Sequence, residues 1–347
     1  MLSLASADAL LAPLAEETAL LLAVSGGPDS TALMLLASRW SLREKIRIVV
    51  ATVDHGLRAA SREEALFVAG EAQALGFEHR LLVWKGDKPL TRLQERAREA
   101  RYALLAGCAA GIDPRCAIVT AHHADDQAET ILFRLCRGSG VAGLAGMAAV
   151  STLHDDATSQ IRLLRPFLEV PKAALEAICA EAGRAYVTDP ANADPRFARA
   201  RLRALAATLA AEGLDRAALL RLGRRAARAE AALRRCAAYV EESARIEGDE
   251  ATARFRAVTL RGAPDELLMR LIETQTARFG SAPRLDRLER ALQQVAQALA
   301  RREAARMTLA GALIDVDEAF LSFRRAPPRS PRIRSDRSPA PTSRAPP

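Results

Sequence analysis

Thr18–Ser30 reads TALLLAVSGGPDS. Thr18–Val24 is a short unbroken apolar run, the pattern of a strand buried on both faces. Ser25-Gly26-Gly27-Pro28-Asp29-Ser30 follows at once and leads into a helical stretch. Two glycines let a backbone approach an anion closely, and the helix N-terminus behind them offers free N–H groups at the positive end of its dipole. Ser25 and Ser30 add hydroxyl donors, and Asp29 can hold Mg²⁺ or orient the loop. The segment therefore reads as a phosphate-binding strand–loop–helix. It is not a Walker loop, because none of the four lysines (45, 85, 88, 172) follows a glycine. Gly138-Ser139-Gly140-Val141-Ala142-Gly143 has dinucleotide-type spacing but follows a helix-like segment rather than a strand.

Outward from this loop the first half keeps a βα rhythm. Apolar runs at Ile46–Val53, His79–Trp84, Cys116–Ala121 and Ile161–Leu164 alternate with helical patterns at Ser30–Arg39, Arg62–Leu75, Thr91–Ala110 and Asp125–Arg137. This predicts an α/β fold with a doubly wound, mostly parallel sheet, which binds ligands at the carboxyl ends of its strands. Two further polar motifs fall at such ends: Val53-Asp54-His55-Gly56-Leu57-Arg58 and Ala121-His122-His123-Ala124-Asp125-Asp126-Gln127-Ala128-Glu129-Thr130. The His-His…Asp-Asp run admits a zinc reading, but zinc sites draw ligands at helical or hairpin spacing rather than from so crowded a stretch. If a helix begins at Asp125, Glu129 shares its face at i+4 and Asp126 lies at i+3 from it. An acidic pocket for a cationic group or Mg²⁺ results; capping alone accounts for one carboxylate and not three.

The chain has 347 residues, 50% of them hydrophobic. That is enough for two cored domains. No apolar run is long enough to span a membrane, and Met1–Leu22 contains no Lys or Arg, so neither a membrane protein nor a secretory leader is expected. Five scattered cysteines without a C-x-x-C pair argue against a disulfide scaffold or a cysteine-rich metal site and fit a cytoplasmic protein. Residues 1–190 carry 20 Lys and Arg against 23 Asp and Glu, whereas residues 191–347 carry 30 against 19. A near-neutral catalytic half joined to a basic, polyanion-facing half follows. Asp189–Arg203 is the turn-rich seam, Leu202 to Glu247 and then Asp265–Arg278 and Arg284–Arg301 are helical, and Met307–Phe323 alternates like a hairpin. The expected division is a catalytic domain over 1–190, a linker helix over 191–214, a smaller, mainly helical basic domain over 215–325 and a disordered Pro/Arg-rich tail over 326–347.

These motifs, with Glu95–Tyr102 ending in Arg-Tyr, Arg137–Met147, Arg165-Pro166-Phe167 and Asp189-Pro190-Ala191-Asn192, occur in one order that resembles the PP-loop ATP pyrophosphatase superfamily, and within it the tRNA(Ile)-lysidine synthetases. The resemblance covers roughly residues 18–205. It implies ATP and Mg²⁺ as substrate and cofactor, and free L-lysine and an isoleucine tRNA with a CAU anticodon as partners. Lysine is joined to C2 of the wobble cytidine through an adenylated intermediate, with release of pyrophosphate and AMP. It further implies that Ser25, Gly26, Gly27, Pro28, Asp29, Ser30, Asp54, His55 and His122 bind ATP. Asp126 and Glu129 would take the lysine ammonium and its proton, and Arg101 would stabilise charge on the intermediate. Asp29 and Asp125 would sit nearest the metal, and Arg199, Arg203, Arg224, Arg225 and Arg228 would meet tRNA. Oligomeric state, monomer or homodimer, stays open.

Two rivals remain at this level. A tRNA thiolase of the same superfamily typically uses C-x-x-C pairs, absent here. A catalytically silent, nucleotide-gated RNA-binding module would not need Asp29, Asp126 and Glu129 together, and pyrophosphate release separates it from an enzyme.

Overall fold

Ala19–Ala23 (β1) is buried along its whole length, as its unbroken apolar run requires. The computed structural model describes residues 4–56, 61–86, 88–89, 91, 93–154, 160–187, 198–246 and 250–327. Residues 189–197 of the seam and most of the C-terminal tail thus lie outside the described residues. By internal contacts the chain divides into Met1–Glu230 and Ala231–Pro347.

In the first unit, α1 (Leu4–Leu11) and a 3-10 turn precede β1. Then come α2 (Pro28–Ser41), β2 (Arg47–Asp54), α3 (Ser61–Ala74), β3 (Glu78–Val83), α4 (Leu93–Ala110), β4 (Cys116–Val119), α5 (Ala124–Leu135) and α6 (Val141–Leu144). β5 (Val150–His154), β6 (Gln160–Leu164), α7 (Lys172–Glu181), α8 (Ala198–Ala204), α9 (Ala206–Ala211) and the first half of α10 (Arg216–Ala244), which crosses the boundary at Glu230, complete it. The sheet order is β3-β2-β1-β4-β6-β5. All neighbours run parallel except β5, which pairs antiparallel with β6. Because side chains alternate along a strand, Leu20, Leu22, Ile48, Val50, Ala117 and Val119 pack under α1, α2, α3 and α7. Ala19, Leu21, Val49, Ile118 and Leu163 face Leu105, Ala106 and Ala109 of α4 instead. The expected doubly wound sheet is present. The order reverses between β1 and β4, so the loops that follow these two strands flank the switch point.

A separate apolar cluster joins Ala128, Ile131 and Leu132 of α5 to Leu219 of α10, with Leu202 of α8 and Leu209 of α9 packed against it. These contacts bring α8 and the start of α10 to the face of α5.

The second unit carries more sheet than a hairpin. β7 (Arg245–Ile246), β8 (Thr252–Arg256), β9 (Ala305–Leu309), β10 (Ala312–Val316) and β11 (Phe320–Arg325) form an antiparallel sheet ordered β7-β8-β11-β10-β9. With the short α11 (Ala257–Leu260), α12 (Asp265–Phe279) and α13 (Leu285–Arg301) supply Leu268, Leu271, Ile272, Leu288, Val295 and Leu299 to the core on this sheet. Phe255 and Phe323 meet edge to face at 5.9 Å, both fully buried. Phe255→Ala is expected to cost about 3–5 kcal/mol, read as a lower denaturant midpoint for this unit.

Candidate active site at the carboxyl ends of the strands

The Ser25–Ser30 loop is held by its own polar groups. Ser25 N–H donates to Ser30 Oγ at 3.1 Å, and Ser30 Oγ donates to the Gly27 carbonyl at 3.1 Å. Gly26 has φ +84°, and a Cβ there would meet Val68 Cγ2 at 3.1 Å and Val187 Cγ2 at 3.3 Å, so only glycine fits. Gly27 is the N-cap of α2 with no side-chain cap, and Pro28 opens the helix. The first N–H groups of α2 are therefore left facing the loop's concavity. Beneath it the buried Cys179 thiol donates to the Pro28 carbonyl at 3.3 Å, and burial pushes this thiol up to about 11.

The β4 loop closes against this one. His123 is buried and caps α5: its Nδ1 accepts the Asp126 N–H at 3.2 Å while Asp126 Oδ2 accepts the His123 N–H at 3.2 Å. The opposite ring nitrogen, Nε2, lies 3.4 Å from both Asp29 Oδ2 and Asp126 Oδ2. Burial lowers the His123 pKa, but the bond to Asp29 and the charges of Asp126, Asp29 and Asp125 outweigh it, and the net shift is upward. Burial raises the Asp126 carboxyl, helped by Glu129 and Asp29 and opposed by His123. Glu129 acts on Asp126 from the next turn of α5, and Asp29 and Asp126 thus meet through a histidine the sequence reading did not select. Its signal was the residue three before Asp126 at a helix start, but histidine is outside the usual N-cap set.

Docking of α8 and α10 supplies arginines to the same carboxylates. Arg203 grips Glu129 with two parallel bonds, Nε to Oε1 at 2.7 Å and Nη2 to Oε2 at 2.9 Å. Arg216 donates to Asp125 Oδ1 at 2.8 Å, and the Lys172 N–H donates to Oδ2 at 2.9 Å. Despite desolvation, those two bonds hold the Asp125 carboxyl below its ordinary range. Both Asp125 oxygens are therefore engaged within the protein, whereas Asp29 Oδ1 is buried without a hydrogen-bond partner. Arg224 pairs with Glu169 at 2.8 Å, and Arg225 and Arg228 are exposed. Arg199 lies on α8, but its side chain is outside the described residues.

Asp54 accepts from Ser61 Oγ at 2.6 Å and from the Gly56 N–H at 2.8 Å, and these bonds lower its carboxyl. It braces the β2 loop. His55 packs edge to face on Trp84, its ring centroid 6.1 Å away. Burial and the charge of Arg101 pull His55 down; His122 is pulled to about 3 by burial and by Arg101, Arg165 and Arg98. Arg101 itself is half-buried, with no ion pair among the described residues. Gly138–Gly146 follows α5 and contains α6, and the residue after it is pinned by Gln127, which bonds both backbone groups of Met147, so a dinucleotide role lacks its strand.

The depressed His122 has a stability consequence. The unfolded chain binds a proton near pH 6.5 that the native ring refuses until about 3, so stability falls as pH drops through that window. His122→Asn should flatten this part of the curve, measured as Tm against pH.

A glycine-rich phosphate loop and an acidic loop facing each other across the switch point of a parallel sheet define a nucleotide-activating α/β protein of the PP-loop class. The PP-loop domain family matches residues 3–209. The chain is 48% identical over 316 residues to a tRNA(Ile)-lysidine synthase of Methylobacterium sp. (strain 4-46), covering 89% of each chain. It is 45% identical over 327 residues to one of Rhodopseudomonas palustris, covering 91% of this chain and 93% of that one. The chain belongs to the tRNA(Ile)-lysidine synthase family of PP-loop proteins.

Proposed function

We propose that the protein ligates free L-lysine to C2 of the wobble cytidine in the CAU anticodon of an isoleucine tRNA, at the expense of ATP. The observation that carries this reading is the juxtaposition of the Ser25–Ser30 phosphate loop with Asp29, His123, Asp126 and Glu129 at one switch point. A cytosine C2 oxygen is a poor leaving group, so it first attacks the α-phosphate of ATP and displaces pyrophosphate. The loop N–H groups and the start of α2 hold the outgoing phosphates. Arg101, whose charge has no ion-pair partner among the described residues, faces the anion that develops on the activated base.

A lysine ε-amine is protonated near neutral pH, with a free pKa of about 10.4. Glu129 and Asp126 recognise the ammonium. The raised Asp126 carboxyl sits in the direction needed of a group that takes up its proton before the amine attacks C2 and expels AMP. The unpartnered Asp29 Oδ1 fits a hard cation, since Mg²⁺ is commonly held by one or two carboxylates plus substrate phosphates. Mg²⁺ would neutralise phosphate charge there. Asp125, with both oxygens engaged, fits a brace for α5 and α10 better than a ligand. The division of labour follows the charge: residues 1–190 hold the chemistry, and the basic remainder with Arg203, Arg224, Arg225 and Arg228 meets the RNA.

The test combines protein, ATP, Mg²⁺, labelled lysine and a CAU-anticodon isoleucine tRNA, with a methionine tRNA of the same anticodon in parallel. Label in the isoleucine tRNA alone supports the reading. Pyrophosphate release without label makes lysine the wrong nucleophile, and neither signal leaves the silent RNA-binding module.

A further inference from the structure

We propose that Arg98 and Arg165, next to Arg101, form a second anion site beside His122, which takes a backbone phosphodiester of the RNA strand close to the modified base. The inference rests on the reading of the chain as an RNA-modifying ligase. Thr120 N–H donates to the Leu164 carbonyl at 3.0 Å, so the chain ends leaving β4 and β6 run side by side and set His122 near Arg165. The backbone at His123 is extended, and successive side chains there point to opposite sides. His123 turns to Asp29 and the phosphate loop; His122, its Nδ1 2.8 Å from Thr120 Oγ1, lies within reach of the charges of Arg101, Arg165 and Arg98. The two histidines therefore divide the strand ends into an acidic and a cationic compartment.

The cationic compartment lacks counter-charge. None of its three guanidinium groups pairs with a carboxylate among the described residues. Arg165 is 8% exposed and anchored through Nη1 to the Ala148 carbonyl at 2.7 Å and Ser151 Oγ at 3.0 Å, while its Nε has no hydrogen-bond partner. Nδ1 of His55 is also buried without a hydrogen bond, and the Tyr102 hydroxyl lies against the Arg165 guanidinium. Arg98 lies over the Tyr102 ring at 5.1 Å, which orients its guanidinium plane. Several arginines with unused donors and no carboxylate match a phosphate, which a guanidinium binds bidentately. The phosphates of ATP already have the Ser25–Ser30 loop in the other compartment. Arg98 is exposed, so a polymer strand can reach its guanidinium.

Fluorescence anisotropy with a labelled CAU anticodon stem–loop RNA and the full chain, over a salt series, reads the site directly; ATP affinity is measured in parallel. Arg98→Gln spares the buried Arg165 anchor. Its RNA Kd should rise about tenfold and its log K against log salt slope should fall by about one, with ATP affinity kept. Arg96→Gln is the control, because Arg96 is on the same helix, exposed and paired with Glu99 at 3.0 Å; it removes the same charge and should leave RNA affinity unmoved. Equal losses in both variants would reduce the effect to general charge. Weaker ATP with unchanged RNA would give the site to the nucleotide, and no change in either would remove it. Lysine incorporation by the wild type tests the ligase reading separately, so a wild type that makes lysidine beside an Arg98→Gln unchanged in RNA binding overturns the anion site alone.

Discussion

Asp29→Ala is expected to cut tRNA-dependent pyrophosphate release by about 10²–10³-fold while RNA affinity stays within about twofold of wild type. Asp29 stands in the first turn of α2, and its two oxygens do different work. Oδ2 faces His123 Nε2 at 3.4 Å and so ties the phosphate loop to the acidic loop; Oδ1 is buried with no partner, in position for a cation. Alanine removes both, and the loss falls on the adenylation step, before lysine is needed. Asp29→Asn keeps the shape and the His123 contact but not the charge. If both variants lose the reaction equally, the cation role dominates. Pyrophosphate release at the wild-type rate in Asp29→Ala would take the residue out of the chemistry.

Glu129→Gln should raise the lysine KM about 100-fold and leave lysine-independent adenylation within about threefold, because a charged hydrogen-bond partner is removed from one substrate only. Arg203 holds both Glu129 oxygens, so the carboxylate is pre-oriented, and an incoming ammonium must share or displace this guanidinium. The amide offers a single acceptor and no charge, and fails on both counts. Steady-state kinetics with varied lysine at saturating tRNA decide the matter; an unchanged KM would remove Glu129 from the lysine site.

Much of this arrangement was legible in the residues. β1, β2 and β4 are buried apolar runs with few rivals for a strand reading, and the polar loops that follow them are contiguous in sequence. β5 was missed because Val150–His154 has a polar pattern and Val150 is 49% exposed, so no apolar run marks it. The antiparallel sheet of the second unit was reduced to a hairpin because β7 and β8 are short and arginine-rich, and β8 enters the sheet by pairing with β11 far along the chain. At the site, Arg203 and Arg216 reach Glu129 and Asp125 across 74 and 91 residues. Nothing local marks such pairs; they follow from the apolar cluster that docks α8 and α10 on α5. The resemblance assigns Arg203 to the RNA, and in the structure it also has a carboxylate to hold.

The thiol beneath the phosphate loop bears on how the protein ages in an oxidising cell. Peroxides and alkylating agents attack thiolates, and a group pushed up to about 11 presents about one part in 10⁴ of that form at pH 7. Cys179 is also fully buried, whereas Cys136 and Cys236 are exposed. Chemical wear therefore falls first on cysteines at the surface, and the turn that grips the phosphates rests on a sulfur that behaves as an inert hydrogen-bond donor.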